Sequence, residues 1–319
     1  MSEARSKALK SIGGGNIPTQ QTSIKNISVI INPNAGIKNK DAQSVIEEAM
    51  KTAGIASEMS LTQKAGGGFR LAQGAVRESV DAVAVYGGDG TIMEVSSGLL
   101  GSDVPLLILP GGSANVLANE LGISKDLKDA CALLSQAYEI KTIDAGRLND
   151  RYFSVRTSRG VEAEMVKGAD RETKKKIGVL AYVLSAIYAL AKIRLAVYRI
   201  TIDGKEFQTK GLTCIVTNTG NLGFTKISMD KAIDISDGLL DVLVVRKVNF
   251  RLIKHILATL VRRERPHDWD LVAHWQGKDV QVLSNPMQRV ECDGEILGKV
   301  PFHARILPSA IKVLVPLSL

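Results

Sequence analysis

The run Val83-Ala84-Val85-Tyr86 stops at Gly87-Gly88-Asp89-Gly90-Thr91, and Ile92-Met93-Glu94-Val95 follows with helical spacing. A β-branched apolar run, a glycine-rich turn and a helical pattern in that order predict strand, tight turn and helix. Glycines admit positive φ and let a ligand approach the main chain closely. The helix start beyond them offers unpaired N–H groups and a positive dipole end, both suited to phosphate. Asp89 is the odd member, because a carboxylate repels a bare phosphate. It makes sense beside a cation, a ribose hydroxyl or an acceptor hydroxyl. A simple Asx-bonded turn is the competing reading of the same residues.

The same unit recurs on both sides. Asn26 to Ile31 reads as a buried strand and runs into Asn32-Pro33-Asn34-Ala35-Gly36. Ala42 to Ala53 reads as a helix ended by Gly54, Ser57 to Thr62 as a strand, and Gln63 to Val76 as a loop and helix. Thr91 to Leu100 forms the next helix, and strand Val104 to Leu109 closes on Pro110-Gly111-Gly112-Ser113-Ala114-Asn115. Alternating strands and helices with glycine-rich turns predict a doubly wound α/β domain with a largely parallel sheet, here residues 24–144. Ligands bind such sheets at the C-terminal strand ends. After Asp144 the pattern turns β-rich: Tyr152 to Thr157, Val197 to Ile202, Gly211 to Thr217, Leu239 to Val245 and Val280 to Ser284. Two helical stretches, Ile177 to Ile193 and Asn249 to Arg262, interrupt it. Residues 145–302 therefore read as an antiparallel β domain. The apolar stretch Ala310 to Pro316 predicts a buried strand, with residues 303–319 returning to the first domain. Residues 1–23 are polar, hold Gly13-Gly14-Gly15 and read as a flexible tail without a secretory signal.

A length of 319 residues makes two domains the default. The formal charge of +8 favours an anionic partner, while only 4% aromatic residues argue against stacking on nucleic acid. Cys131, Cys214 and Cys292 lack metal spacing and read as small buried apolar residues of a reducing compartment. Three Cys and four His that do not cluster in sequence argue against sulfur or imidazole metal catalysis. No G-x-G-x-x-G stands at the first strand–helix turn, which argues against a Rossmann dehydrogenase. Val179 to Ala191 is apolar but shorter than the about 20 residues that span a bilayer, so a cytoplasmic, soluble or peripheral protein is expected.

Five motifs occur in order: Asn32-Pro-Asn-Ala-Gly36, Gly87-Gly-Asp-Gly-Thr91, Pro110-Gly-Gly-Ser-Ala-Asn115, Asp237-Gly-Leu-Leu-Asp241 and Asp293-Gly-Glu295. Together the chain resembles the diacylglycerol kinase catalytic-domain family, which includes sphingosine kinases and soluble bacterial lipid kinases. The resemblance implies an ATP-binding α/β domain like that of NAD kinases and phosphofructokinases, then a β-sandwich, with the active site between them. It places nucleotide binding at Asn32, Pro33, Asn34, Ala35, Gly36, Thr62, Gly87, Gly88, Asp89, Gly90, Thr91, Ile92, Met93, Glu94, Gly112, Ser113 and Asn115. It also implies a Mg²⁺ loop at Asp234, Asp237 and the Leu239 carbonyl, although an Asx turn before a strand reads the same residues.

A lipid alcohol needs a carboxylate to orient it and accept its proton. Glu291, Asp293 and Glu295 stand together, and position alone does not choose among them. The resemblance chooses Asp293 as the base, with Glu295 supporting it and Asp89 acting through Mg²⁺ or ordering the acceptor. Two stretches depart from the family pattern. Met93 stands where the family usually has Asn, and Ser154-Val-Arg-Thr-Ser-Arg-Gly160-Val-Glu162-Ala replaces an Asn ahead of Gly-x-Asp-Ala. An NAD kinase-like enzyme and a catalytically weak lipid-binding regulator are the alternatives.

The expected partner is a lipid substrate at an anionic membrane surface, not nucleic acid, and a homodimer stays open. Lys167, Arg171, Lys174, Lys175 and Lys176 precede one apolar helix, and Arg262, Arg263 and Arg265 end the other. Each cation near an anionic surface contributes about 1 kcal/mol, so salt-sensitive binding to anionic vesicles is expected.

Overall fold

The computed structural model describes residues 24–35, 41–160, 195–220, 233–246, 272–293 and 295–317. The N-terminal tail, Gly36, the two interrupting helices with their basic clusters, and Gly294 lie outside the described residues.

The chain runs β1 (Asn26–Ile31), α1 (Ala42–Thr52), β2 (Ala56–Leu61), α2 (Gly67–Arg77), β3 (Ala82–Gly87), α3 (Asp89–Leu99), β4 (Leu106–Pro110), α4 (Val116–Glu120) and α5 (Leu127–Ala132). Strands β5 (Tyr138–Leu148), β6 (Arg151–Phe153), β7 (Arg156–Arg159), β8 (Ala196–Ile202), β9 (Lys205–Gly211) and β10 (Thr213–Thr217) follow. The remainder is β11 (Leu240–Val245), β12 (Val272–Gly277), β13 (Asp279–Asn285), β14 (Val290–Cys292), β15 (Glu295–Gly298) and β16 (His303–Pro316). Strand β3 lies between β1 and β4, parallel to both, and every one of its residues is buried. A strand covered on both faces needs an unbroken apolar run, which Ala82 to Tyr86 supplies. Helix α1 buries Ala42, Ile46 and Met50, one residue per turn, against this sheet.

The first sheet has the order β2-β1-β3-β4-β16-β13-β8-β9, with β5 and β6 joined through β16. The second is antiparallel throughout, in the order β12-β11-β10-β7-β14-β15. Tyr198, Ile200, Val280, Val282 and Ala304 of the first sheet share one buried cluster with Cys214, Val216, Val242, Val244 and Val290 of the second. The fold is thus an α/β layer followed by an antiparallel sandwich, as the residue pattern indicates. All three cysteines are buried and unpaired. Burial pushes their thiols up, Cys131 to about 11 and Cys214 to about 12.

Two long strands run through both halves. The His303 end of β16 lies between β13 and β5, and its Pro316 end between β4 and β5. A boundary at 144/145 therefore falls inside β5, and one at 302/303 falls immediately before β16. Asp144 marks the crossing. It is buried, its Oδ1 accepts from the Ser309 amide at 2.7 Å, and its Oδ2 accepts from the Gly238 amide at 2.7 Å. Its carbonyl takes the Asn218 side-chain amide at 2.9 Å. Ser309 has φ of 52° in the irregular stretch where the β5–β16 register shifts. One carboxylate thus ties that irregularity to the 233–239 loop. Removing it strands two amides that had a charged acceptor. Asp144→Ala is expected to lower unfolding stability by about 3–5 kcal/mol, read from denaturant midpoints. A loss under about 1 kcal/mol would show that the amides find water instead.

Candidate active site

The parallel strands β1, β3 and β4 deliver three loops to one edge of the sheet. The Asn32 amide donates to the Tyr86 carbonyl at 2.9 Å, and the Gly111 amide donates to Gly87 at 2.8 Å, so the ladder continues into the loops. Asn32 folds its own loop by accepting the Asn34 amide at 2.9 Å, and its Nδ2 donates to Thr91 Oγ1 at 2.8 Å. Glycine is required where the loops meet. A Cβ on Gly87 would lie 2.6 Å from the Thr91 Cβ, and one on Gly112 would lie 2.7 Å from the Gly88 Cα. Asn115, at φ 49°, closes the third loop by exchanging hydrogen bonds of 2.9 Å with the Gly112 amide and carbonyl.

The two acids of this region hold helix starts. Asp89 Oδ1 accepts the Val116 amide at 2.6 Å, and Oδ2 accepts the Asn115 amide at 3.1 Å, so Asp89 holds the start of α4. Glu94 Oε1 and Oε2 accept the Gly66 and Gly68 amides at 2.8 and 3.0 Å, at the start of α2. Helix α3 has no such partner. Gly88 precedes it in extended conformation, and no side chain caps it. Among the described residues, the first-turn amides of α3 are therefore available to an anion, between glycine-rich loops. Ile92 points into the core, so only its backbone can face a ligand, and Met93 takes a contact from Ser97 Oγ at 3.6 Å. Pro33, Asn34, Gly90 and Ser113 are exposed, while Ala35 and Thr62 are half-buried.

Helix α3 packs against β6, and the chain leaving β6 reaches the second group of site residues. Asp293 sits at the turn between β14 and β15 with φ of 42°. Its carboxylate accepts the Ser154 and Arg156 amides at 2.9 Å each, and its own amide donates to the Arg156 carbonyl at 3.0 Å. Burial pushes its carboxyl up to about 6; the Arg156 and Ser154 amides and the Arg156 cation only partly offset this. The neighbouring acids separate. Glu291 is buried and accepts Ser158 Oγ at 3.0 Å, whereas Glu295 is exposed and pairs with Arg151 at 2.9 Å. Arg156 is a neighbour of Asp293 that no local sequence pattern signals, since the two are 137 residues apart.

The 233–239 loop is built from Asx turns. Asp234 Oδ1 accepts the Ser236 hydroxyl and amide at 2.7 and 2.9 Å, and Asp237 Oδ1 accepts the Leu239 amide at 2.9 Å. The Ser236 hydroxyl holds the Asp234 carboxyl below its ordinary value. Burial, then repulsion from Asp241, Asp234 and Asp144, raises that of Asp237. Asp241 is fully buried, bonded to His274 Nε2 at 2.5 Å through Oδ1, and its Oδ2 has no partner. Among the described residues no three His, Cys, Asp or Glu side chains converge as a metal cluster. An oxygen-only set of Asp234, Asp237 and the Leu239 carbonyl, crowded by acids, nonetheless fits a hard cation.

Residues 26–148 match the diacylglycerol kinase catalytic domain, and residues 155–315 match the C-terminal NAD kinase beta sandwich-like domain named for YegS. Together the two matches cover most of the chain. The chain belongs to the diacylglycerol kinase catalytic-domain family. A diacylglycerol kinase of Bacillus subtilis is 29% identical over 300 residues, covering 92% of this chain and 97% of that enzyme. An uncharacterized Synechocystis protein is 28% identical over 238 residues, covering 73% of this chain and about half, 54%, of that protein. A crystal structure from Bacillus anthracis superposes with a TM-score of 0.76 at 24% identity, covering 92% of this chain and 99% of that one. That likeness concerns the fold. Membership of the diacylglycerol kinase catalytic-domain family carries the expectation of ATP, and usually of a divalent metal. Among the described residues, no helix is long and apolar enough to cross a membrane.

Proposed function

We propose that this chain is an ATP-dependent lipid kinase that transfers the γ-phosphoryl group to a hydroxyl of a diacylglycerol or sphingoid-like lipid. One observation carries the reading: an uncapped helix start on α3, which packs against β6, and a carboxyl pushed up to about 6 that is held by the Ser154 and Arg156 amides of the chain leaving β6. The first suits phosphate and the second suits proton transfer near neutral pH. The name of the Bacillus subtilis relative supports a lipid acceptor over NAD.

The α3 amides would hold nucleotide phosphates, with Asn32 and Thr91 fixing the first loop against the second. Gly88 and Gly112 leave the backbone open to close approach. Asp293 orients the acceptor hydroxyl and takes its proton as the oxygen attacks phosphorus. The Ser154 and Arg156 amides hold the carboxylate in place. Asp234, Asp237 and the Leu239 carbonyl would hold Mg²⁺, which when bound supplies positive charge beside Asp237, a carboxylate that Asp241, Asp234 and Asp144 repel. Transfer of labelled phosphate from ATP into extracted lipid tests the reaction.

The sign of the pH dependence follows from Asp293. Its ionised form is the active one, and its carboxyl titrates near 6 rather than at the ordinary 3.8. The value of kcat/KM is expected to be flat above neutrality and to fall about tenfold per pH unit below about 6. A profile still flat at about pH 5 would mean that a different group accepts the proton.

A further inference from the structure

The outward face of the first sheet carries an apolar corner that the proposed chemistry does not use. Among the described residues six large hydrophobic side chains are exposed, and three of them gather here: Leu283 at 64%, Leu195 at 55% and Met287 at 48%. Leu283 lies on β13 directly opposite Arg199 of β8, and Asn285 lies opposite Val197. Leu195 enters β8, and Met287 leaves β13, at the same end of this strand pair. The alternate residues Tyr198, Ile200, Val280 and Val282 fill the sandwich core, so Leu283 and Arg199 point away from it. An outward strand face is ordinarily polar, which makes the cluster informative.

Charge selects the occupant. Arg199 is paired across to Gln208 and Val197 to Lys210 on β9. The two outward rows, Leu283-Arg199-Gln208 and Asn285-Val197-Lys210, thus hold two exposed cations and no acid. Among the described residues, the acids of this face, Asp279 and Glu206, lie at the opposite end of the strands. The neighbouring edge strand β9 carries Lys205, Glu206 and Lys210, a charge pattern that discourages strand pairing with a second copy. Apolar side chains beside two long basic ones match a lipid surface, where the cations reach headgroup phosphates.

We propose that this corner, Leu195, Leu283 and Met287 with Arg199 and Lys210, docks the protein on an anionic bilayer. The inference rests on the lipid-kinase reading for the presence of a bilayer, and its test separates the two. Flotation of the full chain is measured with phosphatidylcholine vesicles, with and without phosphatidylglycerol. Wild type should bind the anionic vesicles. Leu283→Asp should weaken that binding about tenfold. Arg199→Glu and Lys210→Glu should each weaken it about fivefold, and only for anionic vesicles. Turnover of a short-chain diacylglycerol in detergent micelles should stay at the wild-type rate in all three. Undiminished flotation of the variants would overturn the docking surface. So would a shift from dimer to monomer in light scattering for Leu283→Asp with flotation unchanged, which would make the corner a contact between copies. Flotation that follows the substitutions in a protein that phosphorylates no lipid would uphold the docking surface and overturn the kinase reading.

Discussion

Asp293→Asn is expected to reduce lipid phosphorylation by about 10²–10⁴-fold, the range a positioned general base contributes. ATP affinity should stay close to wild type, because the proposed phosphate-binding amides belong to α3 and Asp293 to the β14–β15 turn. Asn suits the site in two respects: it tolerates the φ of 42°, and it keeps one oxygen for an amide. It cannot serve both the Ser154 and Arg156 amides, so a stability loss of about 1–2 kcal/mol should accompany the loss of rate. Glu295→Gln supplies the contrast. Its exposed pair with Arg151 is worth at most about 1 kcal/mol, and its removal should leave most of the activity. An inactive Glu295→Gln beside a fully active Asp293→Asn would move the base to the wrong side of that turn.

Asp89→Ala is expected to do two things at once. Its carboxylate joins the second and third loops, and without it the Asn115 end of the 111–115 loop loses its tie to α3. A displacement of about 1 Å at a reacting centre costs about 10²-fold in rate, so kcat/KM should fall by at least that. Two amides lose a charged acceptor, so stability should fall by about 2–4 kcal/mol. The hydrogen bonds to Asn115 and Val116 make Asp89 a support of the third loop as well as a turn residue. Wild-type turnover in Asp89→Ala would remove Asp89 from the site. An inactive variant with unchanged stability would mean that it acts on the substrate instead of the loop.

The legible parts of this chain are those where one local pattern decides. Val83 to Tyr86 and Leu106 to Leu109 are apolar without interruption because they are covered on both faces, and the glycines after them mark loops that must approach one another. Strand β5 was not legible, since Tyr-Glu-Ile-Lys-Thr-Ile-Asp-Ala-Gly-Arg-Leu mixes charge with apolar residues along a strand that serves both halves. Strand β9 was missed for a related reason: it is an edge, and Lys-Glu-Phe-Gln-Thr-Lys-Gly reads as a polar connector. The partners of the acids were out of reach. Asp89 bonds residues 26 and 27 positions away, Glu94 bonds residues 28 and 26 away, and Asp144 joins Gly238 and Ser309 at 94 and 165. No local periodicity encodes such pairings. Motif order points to the acids that the proposed site uses, and the structure separates Glu291, Asp293 and Glu295 by environment.

The most direct measurement is transfer of terminally labelled phosphate from ATP to a panel of lipids and NAD, with products identified by mass. Wild type should label a hydroxylated lipid, diacylglycerol or a sphingoid base, in a Mg²⁺-dependent manner, and Asp293→Asn run alongside should reduce that label about 10²-fold or more. Label in NAD with none in any lipid would contradict the account, and so would lipid labelling that Asp293→Asn leaves unchanged.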